Sequence, residues 1–531
     1  MHDLVNPVDI NTVQLRLVYD ILHKHLPAGT RVWAFGSRVK WETTDASDLD
    51  LAVENHKPID HEIMSALNIE FNNSDFPHTV DIVDLKTVSS KFKKIIDEQK
   101  VLLVTVNSKF TDNQWNEVRL GDFAPFLYGK SLPTGKRDSS GDIPVVGSGG
   151  VIGYHDVGLT TGYTIVIGRK GTVGAVHYFS DPCWPIDTTF YVTGTDPLLM
   201  RFKYYVLQTL GLKQMNFDSA VPGLNRTAAH AKLLFVPNEQ EQKNIAYILG
   251  ILDAKIDLNR KMNRMLEDMA RILFKSWFVD FEPVRAKMDG RWKSGKSILG
   301  LPADFYDLFP NQLINSDLKH IPKGWTIKSI GDVARILGGT STKIDVCWTG
   351  GMHCWVTPKD LSTLHSSVLL NTKRKITDAG LQQISSDLLP SGTVLLSSRA
   401  PIGYIAITEI PVAINQRFIA MLPRTGISSH FLHRWCEVFH NEIINYANGS
   451  TFLEINKSNF RKIPIVTPST HIMSVYHKLA SILHSKIVVN ERSVSNLIAQ
   501  RDVLMPLLIS GKLRIFKPHY GNDVSCAMKI A

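Results

Sequence analysis

The stretch Ser219-Ala-Val-Pro-Gly-Leu-Asn-Arg226 decides the fold, because a related stretch, Ser450-Thr-Phe-Leu-Glu-Ile-Asn-Lys457, follows 231 residues later. Each stretch precedes an apolar segment that ends in proline, and then a long helix with heptad patterning. At the same offset Ile256 corresponds to Ile487, and no gap is needed along the helix. Self-similarity at a period far above 50 residues indicates a duplicated domain rather than a solenoid. The sequence therefore predicts two copies of one unit, and a target with two halves.

Composition is typical of a globular chain with three or four domains, at 531 residues with 44% hydrophobic and 21% charged residues. The start lacks a secretory pattern and no apolar run is long enough to span a bilayer, so we expect a cytoplasmic protein with no membrane partner. The five cysteines form no C-x-x-C pair, which argues against a zinc site or a disulfide framework.

Charge is distributed unevenly along the chain. Residues 1–105 contain 11 Lys+Arg and 16 Asp+Glu, a net charge of −5, whereas residues 106–531 contain 48 and 34, a net charge of +14. The duplicated part therefore suits a polyanion such as double-stranded DNA.

A carboxylate motif lies near the N-terminus. An apolar strand runs into Gly36-Ser37-Arg38, Asp48-Leu-Asp50 follows, and Asp81 and Asp84 lie in a later alternating segment. Two carboxylates at i and i+2 on a strand project from the same face. With a third on a neighbouring strand they can hold divalent metals that clamp a nucleoside triphosphate. The alternative is that the Asp48 and Asp50 carboxylates merely cap a turn.

This pattern resembles the minimal nucleotidyltransferase family. The resemblance implies that Asp48, Asp50 and Asp81 are catalytic metal ligands and that Gly36, Ser37 and Arg38 bind the nucleotide. It also implies Mg²⁺ and a nucleoside triphosphate as cofactors of this domain. Asp84 could replace Asp81 as the third ligand; we favour Asp81 because the family places its ligand first in this run.

The duplicated body reads as mixed α/β domains, because β-branched runs broken by Gly and Pro mark short strands. We predict an α/β multi-domain chain with an N-terminal nucleotidyltransferase fold and two further α/β domains joined by two long antiparallel coiled-coil helices. The predicted segments are a nucleotidyltransferase domain 1–105, an α/β domain 110–237, a central helix 238–282, a connector 283–319, a second α/β domain 320–467, a C-terminal helix 468–515 and a tail 516–531.

The two long helices carry apolar residues in steps of three and four, which predicts an a/d seam with Asn259 and Asn490 near its middle. Packing the two seams together would make a stiff spacer of ~64 Å at 1.5 Å per residue. Domains held that far apart would contact DNA one or more helical turns apart, and so read a bipartite site. The alternative is that each stripe covers its own α/β domain.

Residues 110–531 resemble the specificity subunit of type I restriction-modification systems. The resemblance rests on the repeated stretch, on Leu273-Phe-Lys-Ser-Trp-Phe-Val-Asp-Phe-Glu-Pro283, on Ile321-Pro-Lys-Gly-Trp325 and on the closing Gly511-Lys-Leu513. It implies that the α/β domains 110–237 and 320–467 are two target recognition domains. It also implies partnership with two methyltransferase subunits and with restriction/translocase subunits, and no cofactor for the specificity region itself. The sequence has no full Walker A motif and no methyltransferase Asn-Pro-Pro-Tyr motif, so a partner must supply the chemistry on DNA.

Candidate base-reading residues occur in both halves, since Arg pairs with guanine and Asn or Gln with adenine. They are Arg169 and Lys170 in the first recognition domain, and Arg399, Asn415, Gln416 and Arg417 in the second. For Arg169 and Arg399, which occupy equivalent positions, a shared role in folding or in phosphate contact is the favoured alternative.

Three functions compete. The first is a DNA specificity subunit with a fused nucleotidyltransferase domain. The second is a nucleotidylating, antitoxin-like enzyme that the DNA-binding module targets. In the third, the N-terminal domain is inactive and serves as a contact surface.

Overall fold

The computed structural model describes residues 8–10, 12–40, 47–106, 115–137, 141–215, 223–298, 300–316, 320–340, 350–384, 386–449 and 453–515. Several residues used above lie outside the described part, namely Ser219 to Pro222, Ser450 to Phe452, Cys347, Cys526 and the predicted tail 516–531. No helix within the described part is long and apolar enough to cross a membrane.

The N-terminal domain is a four-stranded sheet with four helices. Its elements are α1 Thr12–His25, β1 Arg31–Phe35, α2 Ser37–Lys40, β2 Leu49–Glu54, α3 His61–Asn73, β3 Val80–Asp84, α4 Ser90–Gln99 and β4 Val101–Thr105. The strand order is β3-β2-β1-β4, and β2 and β3 are parallel whereas the other neighbours are antiparallel. The core packs the apolar face of α1 and α3 against the sheet.

The first recognition domain consists of short strands and three helices. Its elements are β5 Asn116–Arg119, α5 Leu120–Phe123, β6 Leu127–Tyr128, β7 Ile143–Gly147, β8 Gly150–His155, β9 Thr164–Gly168, β10 Val176–Phe179, β11 Trp184–Pro185, β12 Thr189–Thr193, α6 Pro197–Thr209, α7 Arg226–His230 and β13 Leu233–Val236, with 3₁₀ turns at Thr134–Lys136 and Leu212–Gln214. The long helix α8, Glu239–Phe278, follows.

The predicted connector contains regular structure. It forms α9 Glu282–Met288, a 3₁₀ turn Ala303–Leu308 and the strand pair β14 Leu313–Ile314 and β15 Ile321–Pro322. Trp292 and Phe309 are buried, and the Trp277 and Phe309 rings lie 4.9 Å apart edge to face. Because these aromatic side chains need a core, the connector packs into one rather than running free.

The second recognition domain is larger than the first. Its elements are β16 Thr326–Ser329, α10 Ile330–Val333, β17 Ala334–Gly338, β18 His353–Val356, α11 Pro358–Ser362, β19 Val368–Leu369, β20 Arg374–Ile376, α12 Asp378–Leu381, β21 Val394–Ser398, β22 Ile402–Thr408, β23 Val412–Ile414, β24 Phe418–Pro423, α13 Ser429–Val438, α14 His440–Asn445, α15 Lys457–Lys462 and β25 Pro464–Thr467. The long helix α16, Thr470–Ile509, follows.

The two recognition domains share one topology. The sheet β10-β9-β12-β6 of the first corresponds to β22-β21-β24-β17 of the second, which adds β19 at the edge. The sheet β8-β7-β11 corresponds to β20-β18-β23, and in both the last pair is parallel while the first is antiparallel. The duplication that the repeated stretch predicts is therefore present in the strand order.

Both long helices have 40 residues and begin alike, after a proline and a capping residue. The Asn238 side chain accepts a hydrogen bond from the Glu241 N–H at 2.9 Å, and Ser469 Oγ accepts one from the Ile472 N–H at 3.4 Å. These side chains satisfy N–H groups that a helix start leaves without an intrahelical partner.

The chain divides into two compact units, Met1–Gly250 with Val503–Ala531, and Ile251–Asp502. In the first unit Ile245, Leu249 and Leu508 join the core of the first recognition domain. In the second unit Tyr476 and Ala480 join the core that contains the second recognition domain. The starts of both helices therefore cover their own α/β cores, as the alternative interpretation expected. Leu508, near the end of α16, instead packs in the core of the first recognition domain.

The middle of the seam pairs helix with helix inside the second unit. Asn259 Nδ2 donates to Ser493 Oγ at 3.1 Å, and Asn490 Nδ2 donates to Asn263 Oδ1 at 2.8 Å. Asn259, Asn263 and Asn490 are buried, so each amide needs such a partner. From Asn259 to Asn263 the contact moves forward along α8, while its partner on α16 moves back from Ser493 to Asn490.

Candidate functional sites

Carboxylates meet at the start of two parallel strands in the N-terminal domain. Asp50 in β2 is the register partner of Asp81 in β3, and Asp48 lies immediately before β2. Register partners on neighbouring strands lie about 4.8 Å apart and point to the same face. The fold therefore brings together three carboxylates that are up to 33 residues apart in the sequence.

These carboxylates affect one another's charge. Burial raises the pKa of Asp50, and the neighbouring Asp81 and Asp48 carboxylates raise it further. Asp48 and Asp81 are near enough to Asp50 to act on its charge, but across the described part of the chain no three His, Cys, Asp or Glu side chains, these three included, form a ready metal site. The donor set is all oxygen, which suits a hard cation such as Mg²⁺, and like charges that raise a pKa are relieved by a cation.

The predicted phosphate turn lies against the same carboxylate. Phe35 is the register partner of Asp50, and Gly36 follows it with a φ of +79°. A Cβ at Gly36 would overlap the Asp50 carboxylate and come within 3.0 Å of its Cγ. Both the left-handed backbone and this close approach require glycine. Ser37, half-buried, begins α2 beside this turn.

Arg38, which the sequence placed among the nucleotide-binding residues, is buried in the structure. The residue is only 4% exposed. Its Nε and Nη2 atoms donate to the Ser47 carbonyl at 3.1 and 2.6 Å, and Nη1 donates to the Asp9 carbonyl at 2.7 Å. Because Ser47 precedes Asp48, the Arg38 fork holds the backbone that leads into the carboxylates.

Asp84 and Asp81 differ in what their side chains contact. Asp84 is buried, and its carboxylate accepts hydrogen bonds from the backbone N–H groups of Ile59 at 2.7 Å and Lys86 at 2.8 Å. Asp81 is exposed beside Asp50. Since the Asp84 oxygens are used to hold the backbone, Asp81 remains the better candidate for the third ligand.

The repeated stretch has the same local role in both halves. Asn225 caps α7 by accepting from the Ala228 N–H at 3.0 Å, and Asn456 caps α15 by accepting from the Asn459 N–H at 2.8 Å. One residue earlier, the Leu224 N–H donates to the Arg169 carbonyl and the Ile455 N–H donates to the Ser398 carbonyl. The stretch therefore attaches a capped helix to the loop that carries the repeated arginine.

The structure pairs Lys170 with Gly223 and Arg399 with Glu454, so Arg399 occupies the position of Lys170 rather than the expected position of Arg169. The two arginines also have different partners. Arg399 Nη1 lies 3.2 Å from Glu454 Oε2, in an ion pair within the second domain. The Arg169 guanidinium lies over aromatic rings instead, 5.3 Å from the centre of Tyr128. Lys170 is exposed beside it. The position that corresponds to Glu454 in the first half is Gly223, which has no carboxylate.

The remaining candidates form a turn between β23 and β24. The Asn415 Oδ1 atom accepts from the Arg417 N–H at 3.1 Å, so this side chain shapes the turn. Gln416 and Arg417 are exposed. The structure thus places two of the three side chains where a partner can reach them.

Sequence reasoning missed several residues at these sites. The Arg38 contact with Ser47, the Glu454 ion pair and the rings under Arg169 are long-range or cross-loop contacts that no local pattern shows. One signal was visible, because Arg226 and Lys457 are both basic and both follow the capping asparagine of the repeat.

Comparison with known proteins gives two family matches. Residues 112–268 and 322–488 match the type I restriction modification DNA specificity domain, which is more than half of the chain. Residues 19–109 match the polymerase beta nucleotidyltransferase family.

Individual relatives agree with both matches. The specificity subunit of the type I restriction enzyme HindI from Haemophilus influenzae is 29% identical over 320 residues, 53% of this chain and 69% of its own length. A probable protein adenylyltransferase, MntA, from the same organism is 41% identical over 96 residues, 18% of this chain and 83% of its own length. A crystal structure of a type I system S subunit from M. genitalium aligns with a TM-score of 0.47 at 16% identity, covering 75% of this chain and 97% of that one. The chain belongs to the type I restriction-modification DNA specificity family and carries an N-terminal nucleotidyltransferase domain.

Proposed function

We propose that the duplicated body reads a bipartite DNA site, with one recognition domain for each half of the site. The observation that supports this most is the shared topology of the two domains, including the capped helix of the repeated stretch. The second support is the net charge of +14 in residues 106–531, which favours a polyanionic partner. The long helices, as an antiparallel coiled coil, would fix the number of unread base pairs between the two sequences.

The test is to co-express the chain with its methyltransferase partner and map methylated adenines in the cell. We expect the methylated adenines to lie in a recognition sequence of two parts, separated by a fixed number of unspecified base pairs. Removing one facing heptad, residues 249–255 and 498–504, shortens the spacer by ~10 Å at 1.5 Å per residue. The gap should then shorten by about three base pairs, at roughly 3.4 Å each. An uninterrupted word, or an unchanged gap, would contradict the proposal.

The exposed faces of the long helices support two methyltransferase partners. On α8 the residues Ile251, Leu258, Met265 and Ile272 are exposed at heptad spacing. On α16 the residues 231 positions later include the exposed Ile482, Val489 and Val503. Since the described part of the chain leaves a second apolar seam on each helix uncovered, we propose that each seam binds one methyltransferase subunit.

Charged substitutions test this docking. Leu258→Lys and Val489→Lys should each remove one of two co-purifying methyltransferase copies, and the double variant should remove both. Lys261→Gln, a polar change on the same helix, is the matched control and should retain both copies. Full retention by the double variant would exclude the seam as the docking surface.

We further propose that the N-terminal domain transfers a nucleotidyl group to a protein hydroxyl, with Asp48, Asp50 and Asp81 as ligands of Mg²⁺. The bound metal would neutralise phosphate charge during transfer. Gly36 keeps the space beside Asp50 open, while the Ser37 hydroxyl and the first N–H groups of α2 donate to phosphate oxygens. The hydroxyl oxygen forms a bond to the α-phosphorus, the bond to the β-phosphate oxygen breaks, pyrophosphate leaves and the hydroxyl proton passes to solvent.

The test is incubation of the full chain and its partners with Mg²⁺ and α-labelled ATP. Label should appear on protein with the wild type and with Asp75→Asn, a control at an exposed site in the same domain. It should be lost with Asp48→Asn plus Asp50→Asn, and with Gly36→Ala because the added Cβ displaces Asp50. Equal labelling by these variants would refute the assignment, and no labelling by the wild type would favour an inactive contact domain.

A second candidate function makes this transfer the primary activity and the DNA-binding body its targeting device. It is favoured by the 41% identity with a protein whose name describes it as a probable protein adenylyltransferase. The two functions separate if a variant that loses DNA binding still labels its partner protein in the test tube but no longer does so in cells.

A further inference from the structure

An exposed tyrosine in the first recognition domain lies beneath two arginines. The Arg169 guanidinium lies 5.3 Å from the centre of the Tyr128 ring, and the Arg226 guanidinium lies 4.8 Å from it. Phe190 packs edge to face on Tyr128 at 5.0 Å, which fixes the ring from the core side. Tyr128 is 50% exposed although it is a large aromatic residue. These three residues, Tyr128, Arg169 and Arg226, are the cation patch.

Among the described residues, no carboxylate balances the charge of the cation patch. Within the described part of the chain, no carboxylate forms an ion pair with Arg169 or with Arg226. Each guanidinium gains from the ring quadrupole, but two like charges over one ring also repel each other. An anion that bridges the two guanidiniums would relieve this repulsion, and a phosphate accepts two parallel N–H bonds from each arginine fork.

The second recognition domain repeats the strands and the capped helix around this place, but there a carboxylate balances the arginine charge. Its corresponding strand ends in Gly338-Gly339, so no ring is present. Lys457, which corresponds to Arg226, lies over Gly338, where an added Cβ would come within 2.9 Å of the lysine Cδ. The position of Arg169 is taken by Ser398, whose carbonyl accepts from the Ile455 N–H as the Arg169 carbonyl accepts from the Leu224 N–H. The next residue, Arg399, is paired with Glu454 at 3.2 Å. The strands and the capped helix around the cation patch are repeated in the second half, but the two arginines without a carboxylate partner are not. The fold itself therefore does not require an unpaired arginine at this place.

We propose that the cation patch binds the DNA backbone. The guanidiniums of Arg169 and Arg226 both donate to one phosphate, and the Tyr128 ring holds the two guanidiniums in place. This deepens the proposed DNA reading and rests on it. The first recognition domain then holds DNA through an extra backbone contact that the second lacks. The contact positions the domain on the duplex and is independent of base sequence.

The test is the salt dependence of binding of the full chain to a non-cognate 30-base-pair duplex. Each phosphate contact contributes about 0.9 to the slope of log affinity against log salt. Arg226→Gln should lower the slope by about that amount, whereas Lys57→Gln, an equal charge change in the N-terminal domain, should leave it unchanged. Tyr128→Ala should weaken binding and Tyr128→Phe should retain it, because phenylalanine keeps the ring face.

The second half provides the reciprocal variant. Glu454→Gln releases Arg399 and should raise the slope, with thermal melting as a check that the variant is folded. If Arg226→Gln and Tyr128→Ala bind with the wild-type slope and affinity, the cation patch is not a DNA contact, although the proposed bipartite reading would stand. If the wild type binds no duplex even at low salt, both proposals are refuted together.

Discussion

Two charged clusters in this protein differ in how their charge is balanced. In the N-terminal domain burial raises the pKa of Asp50, and the two neighbouring carboxylates, Asp81 and Asp48, raise that pKa further. In the second unit the buried Arg434 lies between Glu267 and Glu437, and the Ser367 N–H and Oγ donate to Glu267 at 2.9 and 2.6 Å. Burial alone would raise the pKa of Glu267, but Arg434 and Ser367 lower it to about 2.

The difference separates sites of binding from sites of structure. A balanced buried cluster satisfies each charge within the protein and has nothing left for a ligand. An unbalanced cluster is stabilised only when a ligand of opposite charge binds, so it marks a functional candidate. The Asp50 carboxylates and the cation patch are unbalanced with opposite signs, whereas Arg434 and Arg399 are balanced.

The largest effect is expected at the balanced cluster. Glu267→Gln leaves the Arg434 charge without its main partner and should lower the free energy of unfolding of the second unit by about 3–5 kcal/mol. Combining it with Arg434→Leu should restore part of the loss, because the uncompensated charge is then absent. Chemical denaturation of both variants measures this, and an effect below about 1 kcal/mol would show that Arg434 is not balanced by Glu267.

Acid should destabilise the same region. Burial lowers the pKa of His430 to about 3, with His484 and His477 adding to the effect, and burial lowers the pKa of His433 well below its usual value. The unfolded chain therefore binds protons near pH 6.5 that the folded state does not. Stability is complete above that pH and falls below it, by about 1.4 kcal/mol per pH unit for each histidine.

Thermal melting between pH 7.5 and 5 measures this loss. The decline should be shallower for His430→Gln, and His61→Gln, at an exposed position of the N-terminal domain, should retain the wild-type decline. Equal slopes for all three proteins would show that the buried histidines do not set the acid limit.

The repeated caps should matter equally in both halves. Asn225→Ala and Asn456→Ala each remove one side-chain acceptor at a helix start and should each cost about 1 kcal/mol. The corresponding Ser substitutions should retain most of the stability, since serine also caps. A cost in only one half, measured by denaturation of the two variants, would indicate that the repeat has kept its sequence but not its role.

The smallest effect is expected at the unbalanced carboxylates. Asp50→Asn removes a like charge and should leave stability unchanged or raise it by a few tenths of a kcal/mol, about the size of an exposed pair interaction. Its nucleotidyl transfer should nevertheless be lost. A clear loss of stability would mean that Asp50 is a structural residue.

Local patterns in the sequence predicted much of this architecture. The repeated stretch indicated the duplication, and the observed strand order shows the same topology twice. The three-and-four spacing predicted two long helices, and most of its positions are buried. The motif around Gly36 and Asp48 predicted a carboxylate site, and the register of β2 with β3 brings Asp50 and Asp81 together. Such patterns are readable because they depend on periodicity and on short chemical motifs.

The amino-acid sequence alone thus determined the duplication, the family and the residue types at each candidate site. Only the tertiary structure decided which charged side chains find partners within the protein. Arg38 donates to the Ser47 carbonyl, and Asp84 accepts from the Ile59 N–H. Glu454 pairs with Arg399, whereas the Arg169 guanidinium lies over the Tyr128 ring. The reason is physical. Whether a charge is balanced depends on side chains that approach from distant parts of the chain, over a few ångström, and no spacing within one segment encodes that approach.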